Sequence, residues 1–290
     1  MQSFNSFLKE EAFLAEESSI LLEKLITFGG EAYPKFGNIV IMAGGAGSGK
    51  GFILSNLVGI EGKTFDVDVL KTLASKTPAI QKRVKDELGV DILKLSQNLK
   101  DPENVGKLHD IIGNYLKTDK NKEKLFYRSV LTAPADRKPN IIFDMTFKEL
   151  SKLEKVANDA SKLGYDKKNI HIVWVVNDIE VAKAQNLKRA RVVPTEILVN
   201  THRGAANTMG DIINMGNKLK KYMDGDIVFA FNKVGVDASL AKSGKGGSYV
   251  KDANYFYVKR AGKSPTPVDK LDKEIRSKIA GYVPKNVDWN

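Results

Sequence analysis

At 290 residues, 42% hydrophobic and 28% charged, the chain can bury the core of one elaborated α/β domain or of a domain with an appendage, and it has no apolar run of about 18 residues that would predict a membrane span. Zero cysteines and only three histidines exclude disulfides, zinc–thiolate centres and thiol catalysis and argue against a multi-histidine metal site; with no secretory signal at the N-terminus, a cytoplasmic setting is expected. The net charge of +11 favours polyanionic partners, and it is uneven: residues 1–31 sum to −4, the remainder to +15, and residues 241–285 hold eleven Lys or Arg against four Asp or Glu.

Residues 1–33 form the first predicted unit. Phe4, Phe7, Leu8, Phe13, Leu14, Ile20, Leu21, Leu22, Leu25 and Ile26 are spaced as in one or two amphipathic helices reaching about Phe28, after which Gly29-Gly30 and Pro34 break the pattern. A core is expected over 34–235, opening with a strand from Asn38. The run Ile39-Val40-Ile41-Met42-Ala43 stops at Gly44-Gly45-Ala46-Gly47-Ser48-Gly49-Lys50-Gly51, and a helical stretch follows from Phe52 to Val58. Strand, phosphate-sized turn and helix start come in the order that a phosphate cradle needs. Glycines let successive N–H groups face an anion, and the helix start adds the positive end of its dipole. Gly44, Gly49 and Lys50 meet the pattern G-x-x-x-x-G-K, with Lys50 placed to reach the β- and γ-phosphates of ATP. Gly51 stands where a Mg²⁺-binding hydroxyl normally follows the lysine.

Four more strands are predicted, at Lys63–Asp68, Asn140–Asp144, Ile170–Val176 and Asp226–Asn232, separated by helices. That alternation predicts an α/β fold of the P-loop NTPase/kinase type, with a mostly parallel five-stranded sheet flanked by helices. Residues 69–138 read as a helical insertion that includes an amphipathic Glu103–Lys117, and Lys148–Leu163 as a crossover helix stopped by Gly164. Residues 183–205 read as a lid. A small basic extension over 236–290 is expected to hold a flexible Gly/Ser loop at 243–248, a strand at Tyr249–Lys259 and a helix at Val268–Ala280. The adjacent aromatics Tyr255, Phe256 and Tyr257 suit either base stacking or a strand packed on its neighbours, and the packed strand is the better reading.

Asp66 and Asp68 close the second strand, and Ile141-Ile142-Phe143 leads into Asp144. In a parallel sheet the carboxyl ends of the strands face one crevice, so these acids would share it with the P-loop. With no hydroxyl at Gly51, Mg²⁺ would be ordered by Asp144 and the Asp66/Asp68 pair, largely through water. Of Asp66 and Asp68, one could orient a Mg²⁺-bound water and the other take the proton of an attacking hydroxyl, and the cations Lys188, Arg189 and Arg191 ahead of Pro194 are placed to cover the moving phosphoryl group.

In this order the motifs resemble those of the zeta-toxin-like group of P-loop kinases. Asp66-Val67-Asp68-Val69-Leu70-Lys71 with Pro78 beyond is similar to that group's D-x-D segment; Asp144-Met145-Thr146 resembles its acid-Gly-Thr, Gly164-Tyr165 the end of its crossover helix, and Ala190–Pro194 its lid. The likeness spans residues 36–205. It implies an ATP- and Mg²⁺-dependent kinase in which Gly44–Phe52 bind the nucleotide, Lys50 binds phosphates, Asp68 is the general base, and Arg189 and Arg191 are lid arginines. The acceptor is assigned to Asp68, Thr146 and Arg128, and its class to a nucleotide-sugar, a nucleotide or a polynucleotide. Asp144 in place of the longer Glu, Met145 in place of Gly, and Gln185 in place of a lid arginine depart from the group's pattern. The opening residues Met1–Ala12 also resemble those of many tailed-bacteriophage proteins, with Leu14-Ala15-Glu16 similar to a prohead-protease site, which leaves a virion-associated nucleotide-binding module as the second reading and a nucleic-acid-binding protein as the third.

Overall fold

The computed structural model describes residues 25–66, 75–116, 127, 130–233, 235–242 and 248–289. β1 (Ile39–Ala43) leads through the glycine turn into α1 (Lys50–Ile53), which widens into π-helical turns over Leu54–Val58 before β2 (Lys63–Asp66). Three short helices follow: α2 (Pro78–Leu88), α3 (Ile92–Gln97) and α4 (Pro102–His109). Then come β3 (Ile141–Asp144), α5 (Ser151–Leu163), β4 (Ile170–Val176), α6 (Ile179–Leu187), α7 (Thr195–Asn214), β5 (Ile227–Phe231), β6 (Ala238–Lys242), β7 (Ser248–Lys259) and α8 (Lys273–Tyr282).

The sheet runs β2-β3-β1-β4-β5-β7-β6. Its first five strands are parallel, whereas β7 and β6 add on antiparallel. Every residue of β1 is buried because both faces of this central strand are covered, which is why it reads as an unbroken apolar run. The side chains still alternate. Ile39, Ile41 and Ala43 join the core formed with Leu153, Val156 and Ala160 of α5 and Ala206 and Met209 of α7. Val40 and Met42 join the opposite core, with Ile53, Leu57 and Val58 behind the glycine turn and Ile26 and Phe28 from the segment before it. On leaving β1 the chain passes through β2 and β3 on one side and crosses to β4 on the other, so the order reverses at the carboxyl end of β1, where α/β sheets open a ligand crevice.

α5 buries Leu153, Val156, Ala157, Ala160 and Leu163, a one-face helical stripe, and stops at Gly164, whose φ of 78° lets the Tyr165 N–H turn back onto the Ala160 carbonyl at 2.9 Å. α2, α3 and α4 start at Pro78, behind the Asp91 cap and at Pro102, and they enclose a small core of their own from Val84, Ile92, Leu108, Ile111 and Ile112. This is the helical insertion, seen over 75–116.

The structure departs from the sequence expectation in three places. The sheet gains two strands beyond the expected five, because β7 pairs with β5 and carries β6 with it. Residues 25–28, expected to finish a helix, are not helical: the Ile26 N–H bonds the Leu57 carbonyl at 2.8 Å and Phe28 bridges to Glu31 around the Gly29-Gly30 turn. Residues 1–24 of that expected helical segment lie outside the described residues. α8 begins only at Lys273, since the Asp272 carboxylate caps the Glu274 N–H at 2.8 Å and separates it from a single 3₁₀ turn at Val268–Lys270. The expectation of a packed aromatic strand agrees with the structure: Tyr255 and Tyr257 pack on one face of the sheet and Phe256 on the other, and Tyr257 Oη donates to the Thr27 carbonyl at 3.0 Å.

Candidate functional site

The glycine turn closes over the carboxyl end of β1. Gly49 has φ 91°, and an added Cβ there would lie 1.9 Å from Asn232 Nδ2. Gly45 has an ordinary φ, but a Cβ on it would meet the His202 ring at 2.0 Å. Both positions are glycine because neighbouring side chains come within hard contact of the turn. Gly51 differs, for a Cβ there meets nothing within 4 Å. The missing hydroxyl is therefore not a steric demand of the fold.

Lys50 Nζ crosses the turn and donates to the Gly44 carbonyl at 3.0 Å and the Gly45 carbonyl at 3.4 Å, with Asp144 Oδ1 at 3.6 Å. This ties the ammonium to the rim of the turn. A phosphate seated there would meet the ammonium together with the first-turn N–H groups of α1, which have no carbonyl one turn back. The fold is thus an α/β sheet, parallel over five strands, with the glycine turn at the carboxyl end of its central strand.

Asp144 stands in register with Met42 on β1 and with Asp66 on β2, so the backbones carrying both predicted acids reach the same edge of the sheet. Among the described residues no three His, Cys, Asp or Glu side chains gather as a metal cage. A site of one or two carboxylates completed by phosphate oxygens and water is what Mg²⁺ commonly takes. Thr146 meets the turn through its backbone, its carbonyl accepting the Gly44 N–H at 3.4 Å. Phe147, next along, is buried with φ 54°, a left-handed conformation that is unusual for an aromatic residue and marks a constrained corner beside the turn. Asp68 and Arg128 lie outside the described residues.

The expected lid leaves α6 at Leu187. Arg189 is exposed and Arg191 half-buried. Asn186 fixes the return of the segment, donating to the Val193 carbonyl at 2.7 Å and accepting its N–H at 3.0 Å, and the Val192 N–H bonds the Leu99 carbonyl of the insertion at 2.8 Å. This backbone hydrogen bond joins the segment expected as a lid to the helical stretch before β3. Gln185 accepts from Asn177 Nδ2 at 3.2 Å, beside the turn and away from any role as a cation.

Several residues at the turn escaped the sequence reading. The Thr201 hydroxyl accepts the Ala46 N–H at 3.0 Å, and His202 Nε2 meets the Ala46 carbonyl at 2.8 Å, so α7 clasps the outer arch of the turn by its backbone. Burial holds the His202 imidazole neutral, pushing it down to about 4 against the hydrogen bond to Ala46, with the Lys50 charge adding to the shift. Beneath the turn, Asn232 Nδ2 donates to the Ser48 carbonyl at 2.9 Å and Asn177 Nδ2 to the Gly47 carbonyl at 3.4 Å. Ser48 Oγ, Asn177 Oδ1 and Asn232 Oδ1 are buried with no hydrogen-bond partner among the described residues, a concentration of unsatisfied oxygens that a purely structural loop would not retain. Asp178 caps α6 through the Glu180 and Val181 N–H groups and pairs with Lys233 at 3.3 Å; burial opposes its ionisation, but these contacts outweigh it and hold the carboxyl below its usual range. Asn177 and Asn232 were legible in principle, each being the first polar residue after an apolar strand. Thr201 and His202 carry no such local signal.

No family model matches the chain, and no curated protein matches it. Among solved structures, it is similar to a chain of the PezAT chromosomal toxin–antitoxin system of Streptococcus pneumoniae, at a TM-score of 0.40 and 17% identity over 76% of this chain and 74% of that one. It is also similar to a chain of the AvrRxo1-ORF1:AvrRxo1-ORF2 complex with sulphate ions (TM-score 0.42, 13% identity, covering 96% and 73%). The same assembly with ATP gives a TM-score of 0.41 and 11% identity over 95% and 79%. The chemistry of the site rests on its own geometry.

Proposed function

We propose that this chain is a kinase that transfers the γ-phosphoryl group of ATP to a hydroxyl of an anionic acceptor: a nucleotide-sugar, a nucleotide or a polynucleotide. The observation that carries the reading is Lys50 Nζ bound across the glycine turn to the Gly44 and Gly45 carbonyls, with Asp144 Oδ1 at 3.6 Å. Phosphoryl transfer needs positioning and charge more than covalent chemistry, and this corner of the sheet supplies both. The N–H groups of Gly47–Phe52 and the Lys50 ammonium hold the β- and γ-phosphates. Asp66 and Asp144 would hold Mg²⁺, which when bound would supply positive charge to offset that developing on the transferred group. Asp68 takes the proton of the attacking hydroxyl, Thr146 and Arg128 orient the acceptor, and Arg189 and Arg191 come over the phosphates from the lid. That lid moves with the insertion through the Val192–Leu99 hydrogen bond, which couples acceptor binding to phosphate coverage.

Acceptor-dependent release of ADP from labelled ATP, followed by mass spectrometry of the labelled product in a bacterial extract, tests this. Lys50→Ala and Asp68→Asn are expected to lower turnover by a factor of about 100 or more; turnover retained in both variants overturns the assignment. A second reading, a nucleotide-binding module with little transfer activity associated with a phage particle, draws support from Gly51 and from the capture of the Ala46 N–H by Thr201. It predicts ATP binding without acceptor-dependent ADP release.

A further inference from the structure

The end of the sheet opposite the glycine turn has a chemistry of its own. Parallel strands all begin at one edge, so the loops entering β1, β3, β4 and β5 meet there, and the end of β7 joins them because Lys259 pairs with Ile227. Hydrogen bonds link these loops in series. The Gly37 N–H bonds the Lys138 carbonyl at 2.8 Å and the Asp224 N–H the Lys167 carbonyl at 2.8 Å. The Gly262 N–H bonds the Asp224 carbonyl at 2.9 Å, and Lys220 Nζ the Gly262 carbonyl at 3.1 Å. A Cβ added at Gly37 would lie 3.9 Å from Asn169 Nδ2, so the first loop and the third are neighbours.

This surface presents Lys35, Lys167, Lys168, Lys220, Arg260 and Lys263, all exposed. Two of the carboxylates that could neutralise it are turned inward. Asp224 pairs with the buried Lys259 at 3.1 Å. Asp226 accepts from the Gly29 N–H at 2.7 Å and the Ala261 N–H at 3.0 Å and lies 3.2 Å from His171 Nδ1. Glu31, Asp136 and Asp166 remain exposed in the same loops, Asp166 lying 3.8 Å from Lys168, against the six cations.

The same surface shows aromatic rings. Tyr33 is 47% and Phe36 50% exposed, on either side of Lys35. Tyr33 has φ 53°, a conformation costing of the order of 1 kcal/mol for a residue with a side chain. Its ring lies so close over Gly59 that a Cβ there would be 2.1 Å away. A strained backbone thus holds a ring facing solvent where it buries little. The Arg260 guanidinium lies 3.3 Å over the Tyr257 ring, and the exposed Arg260 plane is thereby held flat.

We propose that this pole binds single-stranded nucleic acid, with the lysines following the phosphates and Tyr33, Phe36 and the Arg260 plane stacking on bases. Cations distributed along a groove together with fixed planar groups are what sequence-tolerant single-strand binding requires. A duplex offers no exposed base faces, and an anionic membrane would call for an amphipathic helix, whereas this pole is built of loops. β4 separates the pole from the glycine turn by seven residues, about 23 Å at ~3.3 Å per residue. The pole is therefore separate from the phosphate turn, and the inference stands independently of the kinase reading.

Fluorescence anisotropy of the full chain with a labelled oligodeoxythymidine tests it. Neutralising about five phosphates gives a log–log salt slope near −3.5, so affinity is expected to fall about a hundredfold between 50 and 200 mM KCl. The double variant Lys167→Glu/Lys168→Glu should reduce that slope by about 1.4. Tyr33→Gly, which removes the ring and relieves the backbone, should weaken binding about tenfold with the slope unchanged. Saturating ATP should leave binding intact. Unaltered binding in both variants, displacement by ATP, equal affinity for duplex, or stronger binding to phosphatidylserine vesicles than to the oligonucleotide would each overturn the proposal; unchanged thermal melts of the variants confirm that the fold is retained.

Discussion

Gly45→Ala is the sharpest test of how α7 holds the glycine turn. The backbone at Gly45 suits any residue, so alanine brings no φ strain and recovers about 0.4–1 kcal/mol through the unfolded chain. Its methyl, however, would sit 2.0, 2.3 and 2.5 Å from three ring atoms of His202. The ring cannot swing aside freely, being 6% exposed and bonded to the Ala46 carbonyl at 2.8 Å. Overpacking costs about 1–3 kcal/mol and loss of the hydrogen bond about 1 more, which leaves a net destabilisation of roughly 2–3 kcal/mol. For a chain of this length that lowers the midpoint of thermal unfolding by roughly 3–5 °C. Urea titrations of Gly45→Ala, His202→Ala and the double variant supply the decisive comparison. With the ring gone, Gly45→Ala should cost less than about 0.5 kcal/mol, giving a coupling of about 2 kcal/mol between the two sites. A single variant as stable as the parent, or two effects that simply add, would refute the contact.

The remaining predictions concern pH, packing and the P-loop hydroxyl. His202 is held at about 4 when folded against 6.5 when unfolded, so the unfolded chain binds the extra proton first as pH falls; stability from this residue is complete above pH 6.5 and roughly 3 kcal/mol of it is lost on descending to about pH 4. Subtracting the pH–stability profile of His202→Gln from that of the parent should isolate this slope, and parallel profiles would contradict it. Trp289 stacks on Trp174 at 5.3 Å and is 3% exposed, so Trp289→Ala should cost about 3–5 kcal/mol in urea unfolding. Trp289→Phe should cost far less, because the indole N–H it removes is buried without a partner among the described residues. Gly51→Ser meets no steric obstacle and should stabilise the chain by about 0.5 kcal/mol through helix propensity. If the kinase reading holds, it should also lower the Mg²⁺ concentration needed for half-maximal turnover; a destabilised Gly51→Ser would show that the open space is not there.

Much of the sheet was readable because its central strands are buried on both faces and therefore apolar throughout. Ile170–Val176 was bounded correctly for that reason, and Gly164 marked the end of α5 by its position after a periodic stripe. β6 and β7 were harder to place. Tyr249–Lys259 read as a strand, but nothing local states that it pairs antiparallel with β5 and places Tyr257 against Thr27, 230 residues away. At the site, Lys50 and Asp144 were expected together and lie 3.6 Å apart. Thr201, His202, Asn177 and Asn232 were not expected, since each acts on a carbonyl or N–H of the turn, and backbone groups leave no mark on the side-chain pattern.

By itself the sequence determined the strand, the glycine turn, the lysine and the helix start, because glycine's freedom at positive φ and the burial of a β-branched run are local properties of the chain. Only the tertiary structure decided what surrounds that turn and what gathers at the far pole. His202 reaches Ala46 across 156 positions and Asn232 reaches Ser48 across 184. The basic pole draws on loops scattered between Tyr33 and Lys263, collected because parallel strands bring every starting end to one edge.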